Sequence, residues 1–253
     1  EISLISFEPQ EGELVVLTIP GKTMVEVAHG YGNYRAEAVW GLEDLEKRRG
    51  LLAESLQENL GVPVEGWIEM ENGKNVFLTE LGNQILGRGE TNFSRWDLGR
   101  LWWQIRRAGL DKARVLDLAK INVLIPQTLP DQTQVWEIDP ARLNAYLAKF
   151  FTEPKMREES LAIEVFNGTS HPGLAEKAAR LLTNMGGEVV RVGNSDQQSQ
   201  KSKVKSQKSK RNSYTVQRIM KIFNADWEEK KEEGTAEITL TLGEDYWQKL
   251  NQK

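Results

Sequence analysis

The chain has 253 residues, of which 39% are hydrophobic, so it is long enough for one large domain or two ordinary ones. Its formal net charge of −4 argues against a general nucleic-acid-binding surface, and no nucleic acid is expected among its partners. Because cysteine is absent, disulfides, thiol nucleophiles and cysteine-bound zinc or iron–sulfur sites are excluded.

The chain opens without methionine, in an apolar segment that has the pattern of a strand already under way. We therefore expect further sequence upstream of Glu1. No run of about 18 apolar residues occurs, so neither a spanning helix nor a signal peptide is predicted within these residues.

The first half alternates short apolar runs with amphipathic stretches. Strands are predicted at residues 2–7, 14–19, 24–27, 64–70, 121–125 and 135–138, and a turn at 71–74. Helices are predicted at residues 36–60, 94–109, 111–120 and 139–151. Gly50 should weaken the middle of the first helix, and Ser94 with Asp97 forms a capping-box-like start for the second. This order indicates a layered α/β or α+β domain.

The second half begins with a proline-containing, charged segment, 152–161, that is typical of a linker. A strand at 162–167, a helix at 171–185 and a strand at 188–192 then predict a compact βαβ unit. A short helix at 216–223 and a half-buried strand at 236–242 complete this predicted domain.

A basic insert, residues 197–213, interrupts the second domain. Its cations are separated by Ser, Gln and Val, and they are Lys201, Lys203, Lys205, Lys208, Lys210 and Arg211. This low-complexity composition predicts a disordered, mobile loop. Either the loop is a solvated insertion, or its cations contact anionic lipid headgroups or a wall polymer. RNA is a third reading, although aromatic residues are missing there. Acidic residues that could pair with the loop follow it, namely Glu228, Glu229, Glu232 and Glu233.

Several short motifs in the second half resemble those of a known family. They are the Asn167-Gly168-Thr169 turn, the Pro172-Gly173-Leu174-Ala175 helix opening and the Leu242-Gly243-Glu244-Asp245-Tyr246 ending. Together they are similar to the LytR C-terminal domain over residues 162–247. That domain commonly follows an extracytoplasmic LytR-CpsA-Psr domain, which transfers glycopolymers from polyprenyl-pyrophosphate carriers to the cell wall.

Residues 1–151 resemble a divergent LytR-CpsA-Psr domain. Three segments carry this resemblance: Thr18–Thr23, Leu60–Val64 and Asp97–Gln104. The resemblance implies a mixed sheet with helices, and a membrane anchor upstream of Glu1.

The family's reaction implies arginines that hold a pyrophosphate and carboxylates that hold Mg²⁺. Gly21 and Lys22 stand where the family has Arg-Asp, and Trp103 stands where it has a second arginine. The residues left as candidates for binding pyrophosphate or a lipid carrier are Arg35, Asp97, Arg100 and Gln104.

The alternative interpretation of this helix is structural. Asp97 would then favour the helix dipole at the N-terminus, and Arg100 would be a solvated side chain one turn later. Two of the three tryptophans Trp96, Trp102 and Trp103 are predicted to pack in the core. No catalytic residue or metal site is assigned, since His29 and His171 lack the context of a zinc site or a catalytic triad.

The sequence thus predicts a two-domain α/β protein of the bacterial cell envelope, extracytoplasmic and membrane-anchored through an upstream segment. The expected role is non-catalytic binding or scaffolding in cell-wall assembly, without a cofactor. Its expected partner is a cell-wall polymer or a polyprenyl-linked glycopolymer, with the membrane surface as a further partner. The alternative is an active phosphotransferase that attaches glycopolymers to peptidoglycan, and only then would Mg²⁺ be required. A plain interaction module without a ligand in its first half is a third reading.

Overall fold

The computed structural model describes residues 2–8, 12–69, 90–109, 113–230 and 236–251. The chain divides into two compact units. The N-terminal unit comprises residues 1–27, 31–59 and 64–143, and the C-terminal unit comprises residues 28–30, 60–63 and 144–253. The turn predicted at 71–74 and two of the acidic residues, Glu232 and Glu233, lie outside the described residues.

Short strands dominate the N-terminal unit. A three-stranded sheet has the order β1-β2-β5, in which β1 is antiparallel to β2 and β2 is parallel to β5. Two separate hairpins pair β3 with β4 and β6 with β7. The strand bounds are β1 Ile2–Glu8, β2 Glu13–Ile19, β3 Met24–Val27, β4 Gly32–Arg35, β5 Arg114–Asp117, β6 Leu124–Thr128 and β7 Gln134–Ile138.

Helices alternate with these strands. Their bounds are α1 Ala36–Glu46, α2 Leu51–Leu60 and α3 Arg95–Ala108, and a fourth helix, α4 Pro140–Phe150, belongs to the C-terminal unit from residue 144 onward. The break between α1 and α2 falls at Gly50, which has a φ of 87° and so takes the left-handed conformation that glycine tolerates best. The prediction that Gly50 interrupts this helical stretch is confirmed.

One predicted helix of the N-terminal unit is wrong. Residues 114–117, within the predicted helix 111–120, form strand β5 instead. Leu116 pairs with Leu17 of the buried strand β2, so sheet pairing decides the local structure there. The strand predicted at 121–125 is displaced toward the C-terminus, to Leu124–Thr128.

Helix α3 packs through one side on the core of the N-terminal unit. Leu98 and Ile105 are fully buried and contact Leu14 of β2. Leu101 and Trp102 are partly buried against the same cluster. These residues recur at helical spacing, so the opposite side of α3 faces away from this core.

A five-stranded sheet organises the C-terminal unit, with the order β11-β10-β12-β8-β9. The strands are β8 Ala162–Asn167, β9 Glu188–Asn194, β10 Lys203–Ser206, β11 Asp226–Glu229 and β12 Ile238–Leu242. Its helices are α5 Pro154–Glu159, α6 Leu174–Asn184, α7 Tyr214–Phe223 and α8 Glu244–Asn251. β8 is parallel to both β9 and β12, while β10 is antiparallel to β12 and parallel to β11.

One face of this sheet forms the core of the unit. Val165, Val204 and Leu240 are fully buried and lie in a single cluster with apolar residues of α6 and α7. The alternating residues Lys205 and Thr239 project to the other face, as strand geometry requires. The predicted βαβ unit and the mixed α/β class are confirmed.

The prediction of a disordered loop at 197–213 is wrong. The segment contains β10, which lies between β11 and β12, and a single 3₁₀ turn at Lys208–Lys210. Ser202 is fully buried, and its hydroxyl donates to Asp245 Oδ1 at 2.8 Å. The strand forms because one apolar residue, Val204, reaches the core while backbone pairing on both sides satisfies its polar groups.

The segment predicted as a linker, 152–161, contains helix α5, in which Met156 is buried in the C-terminal core. Among the described residues, no helix combines the length and the apolar character needed to cross a bilayer.

Candidate functional site

Helix α3 begins with a side-chain cap, which places the first candidate residue. The Ser94 hydroxyl accepts the backbone N–H of Asp97 at 3.2 Å and donates to Asp97 Oδ2 at 2.6 Å. A carboxylate in the first turn also complements the helix dipole. The structural interpretation of Asp97 is therefore realised, and one of its oxygens is already engaged.

Arg100 and Gln104 follow Asp97 on the same helix, three and seven residues later. Arg100 is exposed and Gln104 is half-buried. The prediction that two of the three tryptophans pack in the core is wrong, because only Trp102 is partly buried. Trp96 is 83% exposed and Trp103 is 62% exposed.

The fourth candidate, Arg35, lies at the end of β4, away from this helix in sequence. Its Nη1 is 3.1 Å from Glu37 Oε1. Glu37 also donates its backbone N–H to the carbonyl of Gly21 at 3.0 Å, which brings the loop before β3 to the same place. A Cβ at position 21 would overlap the Glu37 carboxylate, so Glu37 fills the space beside Gly21.

The structure thus divides the four candidates into two groups. Asp97, Arg100 and Gln104 lie together on α3, whereas Arg35 lies with Glu37 beside Gly21. Within the described ranges, no group of three or more His, Asp or Glu side chains is arranged to hold a metal ion.

Most of the basic candidates of the C-terminal unit have acidic or aromatic partners. Lys203 and Lys205 lie on β10 and contact the Glu228 carboxylate of β11, with N–O distances of 2.7 and 3.6 Å. These contacts, led by the hydrogen bond from Lys203, hold the pKa of Glu228 below its ordinary value. The prediction that acidic residues pair with the insert is confirmed for Glu228.

The other cations of this group are distributed around the same sheet. Lys201 lies 3.7 Å from Asp226, and Lys210 lies 3.7 Å from Glu237. The Arg211 guanidinium lies over the Trp227 ring, 4.7 Å from its centroid. Lys208 lies on the 3₁₀ turn and is exposed. Lys201 also lines an open pocket of about 340 Å³ that includes both acidic and basic side chains.

The carboxyl ends of the parallel strands β8 and β12 meet at one edge of the C-terminal sheet. Buried Asn167 fixes the turn after β8, because its Oδ1 accepts both the N–H and the hydroxyl of Thr169, at 2.9 and 2.8 Å. Its Nδ2 donates to the carbonyl of His171 at 2.7 Å. A Cβ at Gly168 would lie 2.7 Å from the Leu242 carbonyl oxygen, so glycine is required there.

A histidine sits above this turn. His171 Nε2 lies 3.2 Å from Glu244 Oε2, and its ring stacks on Trp247 with the centroids 3.6 Å apart. Ligands of open α/β sheets bind beyond the carboxyl ends of the strands, so this edge is a second candidate site. The arrangement offers an imidazole, a carboxylate and an aromatic ring within one small area.

A family match fits this C-terminal geometry. Residues 160–246 match the family described as LytR cell envelope-related transcriptional attenuator. This segment is a LytR C-terminal domain. Its description relates the family to the cell envelope, and no curated protein matches the chain by sequence.

Solved structures of the LytR-CpsA-Psr group are distant structural neighbours. YwtF (TagT), a LytR-CPS2A-psr family protein with bound octaprenyl pyrophosphate lipid, shares 13% identity and a TM-score of 0.40, over 56% of this chain and 79% of its own. TagV from B. subtilis shares 13% identity and a TM-score of 0.41, over 56% and 85%. A transcriptional regulator from Enterococcus faecalis shares 9% identity and a TM-score of 0.43, over 73% and 82%. These values are too low to transfer the role of any residue.

Sequence reasoning missed the edge site of the LytR C-terminal domain. His171 is 73 residues from Glu244, so no local spacing could reveal their contact. The available signal was topological, because two parallel strands ending in Asn167 and Leu242 must bring the following loops together.

Proposed function

We propose that this protein acts outside the cytoplasm in cell-wall assembly, where it binds a wall polymer or a polyprenyl-linked glycopolymer without transferring it. The cell envelope-related LytR C-terminal domain supports the location. The side chains around Gly21 and on α3 support the absence of transfer, and the pair of Arg35 and Glu37 carries this argument.

A pyrophosphate cage requires guanidinium groups that are free to donate to the anion. Arg35 instead faces the Glu37 carboxylate, and the same carboxylate fills the space beside Gly21. Both side chains of this pair are nearly half exposed, so the pair itself adds little stability. Its bearing on a ligand is that the Glu37 carboxylate already occupies the Arg35 guanidinium and brings a negative charge to the place where a phosphate would approach.

Helix α3 also supports the absence of transfer. The resemblance implies an arginine at the position of Trp103, and that side chain is an exposed indole. An indole donates one hydrogen bond and carries no charge, so it cannot replace a guanidinium toward pyrophosphate.

The alternative function is transfer of the glycopolymer to peptidoglycan. Arg100 favours it, since among the described residues this exposed arginine forms no ion pair and could still meet a phosphate. Because Asp97 Oδ2 accepts the Ser94 hydroxyl, Oδ1 would be the oxygen that could serve as a base.

Two assays on the purified chain separate binding from transfer. Sedimentation with purified cell walls measures polymer binding, and release of polyprenyl phosphate from a soluble polyprenyl-pyrophosphate glycan with Mg²⁺ measures transfer. We expect binding without release. Repeated release that is lost in Arg100→Ala would contradict the proposal and establish the transferase.

Thermal unfolding with the same soluble carrier tests whether Arg35 belongs to a pocket. A carrier held at about 100 times its dissociation constant should add about 2.7 kcal/mol of stability. Glu37→Gln should increase this gain if Arg35 meets the pyrophosphate. The matched control is Glu54→Gln on α2, which removes a carboxylate that pairs with Arg48. Equal gains in both variants would place Arg35 outside the pocket.

A further inference from the structure

The exposed side of α3 has an unusual composition. Four of its residues form what we call the Trp-Arg face: Trp96, Arg100, Trp103 and Arg107. They are spaced four, three and four residues apart, so they form one stripe along the helix. The stripe lies opposite Leu98 and Ile105, which anchor the helix in the core.

Both indoles of the Trp-Arg face protrude into solvent. Trp96 is 83% exposed and Trp103 is 62% exposed. Seven residues of helix separate their Cα atoms by roughly 10 Å along the axis. Two large, exposed aromatic side chains on the same side of one helix are typical of a contact surface rather than of the core.

The charge of α3 differs from that of the whole chain. The helix carries four arginines and one aspartate, whereas the chain has a net charge of −4. Among the described residues, Arg95, Arg100 and Arg107 form no ion pair, and Asp97 is bound to Ser94. Arg106 lies over the Trp102 ring, 5.2 Å from its centroid. The positive charge of this helix is therefore available to an outside partner.

We propose that the Trp-Arg face binds the surface of an anionic lipid bilayer, with α3 lying parallel to the membrane plane. Tryptophan prefers the headgroup level of a bilayer, because there its apolar ring can contact lipid while its N–H donates a hydrogen bond. Arginines beside it meet the lipid phosphates, each strengthening the attraction to an anionic leaflet. Because both exposed indoles lie on the same side of one helix, a flat surface can meet them at once.

This contact does not depend on the proposed polymer binding. The Trp-Arg face shares Arg100 with the candidate pyrophosphate group, so the variants that test the membrane contact leave Arg100 in place.

Co-sedimentation of the purified full chain with vesicles tests the proposal. The vesicles contain phosphatidylcholine alone or phosphatidylcholine with phosphatidylglycerol. We expect binding only with phosphatidylglycerol, weakening as salt is raised. The double variant Trp96→Ser with Trp103→Ser should lose this binding while keeping the thermal unfolding temperature of the parent chain, since both side chains are exposed. Binding by the double variant equal to that of the parent, or no binding by the parent, would overturn the proposal.

Two controls sharpen this test. Leu45→Ser removes an exposed apolar side chain of α1, 81% accessible, and should bind like the parent chain. Soluble poly(glycerol phosphate) presents the same phosphate chemistry without a bilayer. If that polymer binds the parent and the tryptophan variant equally and displaces the parent from vesicles, the surface recognises polymer and the membrane contact is refuted.

Discussion

Strand β10 and helix α3 are both rich in cations, but the cations of β10 form ion pairs, whereas several of those on α3 are exposed without one among the described residues. On β10, Lys203 Nζ lies 2.7 Å from a Glu228 oxygen, and Lys205 shares the same carboxylate. On α3, Arg100 and Arg107 are exposed and, within the described part of the chain, form no ion pair. A count of basic residues therefore does not measure the charge that a partner can meet.

Strand pairing explains this difference. β10 lies between two strands, and its parallel neighbour β11 places Asp226 and Glu228 opposite Lys203 and Lys205. The lysines thus occupy the polar face of a sheet whose other face buries Val204. Helix α3 buries its apolar side and has no such neighbour for its arginines among the described residues.

The largest expected effect comes from the buried side of β10. Val204→Asp would place an unpaired carboxylate in the core, at a cost of about 4 kcal/mol or more. Urea unfolding should show a large loss of stability, whereas Lys205→Gln, on the polar face of the same strand, should change it by less than about 0.5 kcal/mol. If Val204→Asp were tolerated, the segment 197–213 would instead behave as the mobile loop that its composition predicts.

A pair of arginine variants extends the comparison to single side chains. Arg218 is nearly buried and holds both oxygens of Glu153 at 2.8 and 3.0 Å through Nε. Arg218→Ala leaves that carboxylate without its main partner and should cost about 3 kcal/mol. Arg107→Ala, on the exposed side of α3, should stay within about 0.5 kcal/mol. Equal losses in chemical denaturation would mean that the α3 arginines are structural.

A pH series tests a carboxylate that caps a helix. Partial burial alone would raise the pKa of Glu159, but hydrogen bonds from Thr215 and Tyr214, with Lys210 nearby, hold it below its ordinary value. Its contribution is therefore complete above the unfolded-state pKa, about 4.3, and is lost as the pH falls through the lower folded-state pKa.

Glu159→Gln should consequently cost about 1–2 kcal/mol at pH 7. The loss relative to the parent chain should shrink toward strong acid. Urea midpoints measured across this range would disagree with the assignment if the difference between the two proteins did not change with pH.

The smallest effect concerns the lysine–glutamate contacts themselves. Glu228 and its lysines are about 40% exposed, so Glu228→Gln should cost at most about 1 kcal/mol. The pKa of Glu228 should rise toward its ordinary value in Lys203→Gln, because Lys203 is the main cause of its lowering. An NMR titration that finds the same Glu228 pKa in both proteins would show that the contact is absent in solution.

The sequence predicted α3 and its apolar side, on which Leu98 and Ile105 are buried, but it placed one tryptophan too many in the core. Ser94 and Gly109 mark its ends, and the cap was recognisable from residue types alone. Trp96 with Trp103 and Leu98 with Ile105 share the same spacing of seven residues. The spacing of the tryptophans by itself therefore does not show that Trp96 and Trp103 are exposed, since burial depends on contact with Leu14 and its neighbours.

Strand β10 could not be predicted because it buries few apolar side chains. Only Val204 interrupts the polar sequence, and its partners on β12 and β11 are 36 and 23 residues away. Long-range pairing supplied the stability that the local composition lacks. For the same reason β5 was mistaken for a helix, since Leu116 becomes a strand residue through Leu17 of β2.

The candidate site was predictable in part. The positions of Asp97, Arg100 and Gln104 on one helix follow from their spacing. The ion pair of Arg35 with Glu37 joins near neighbours in sequence, but the position of Glu37 beside Gly21 and the contact between His171 and Glu244 depend on tertiary structure. Neither of these two tertiary contacts could be read from neighbouring residues.

The most direct test of the central claim neutralises two cations in each region and compares binding to phosphatidylglycerol-containing vesicles. Arg95→Gln with Arg107→Gln should weaken binding about fivefold for each arginine removed. Lys203→Gln with Lys205→Gln should weaken binding less, because both lysines lie against the Glu228 carboxylate, which offsets part of their charge in the parent chain. Loss of binding in the lysine variant, with the arginine variant unaffected, would contradict the account.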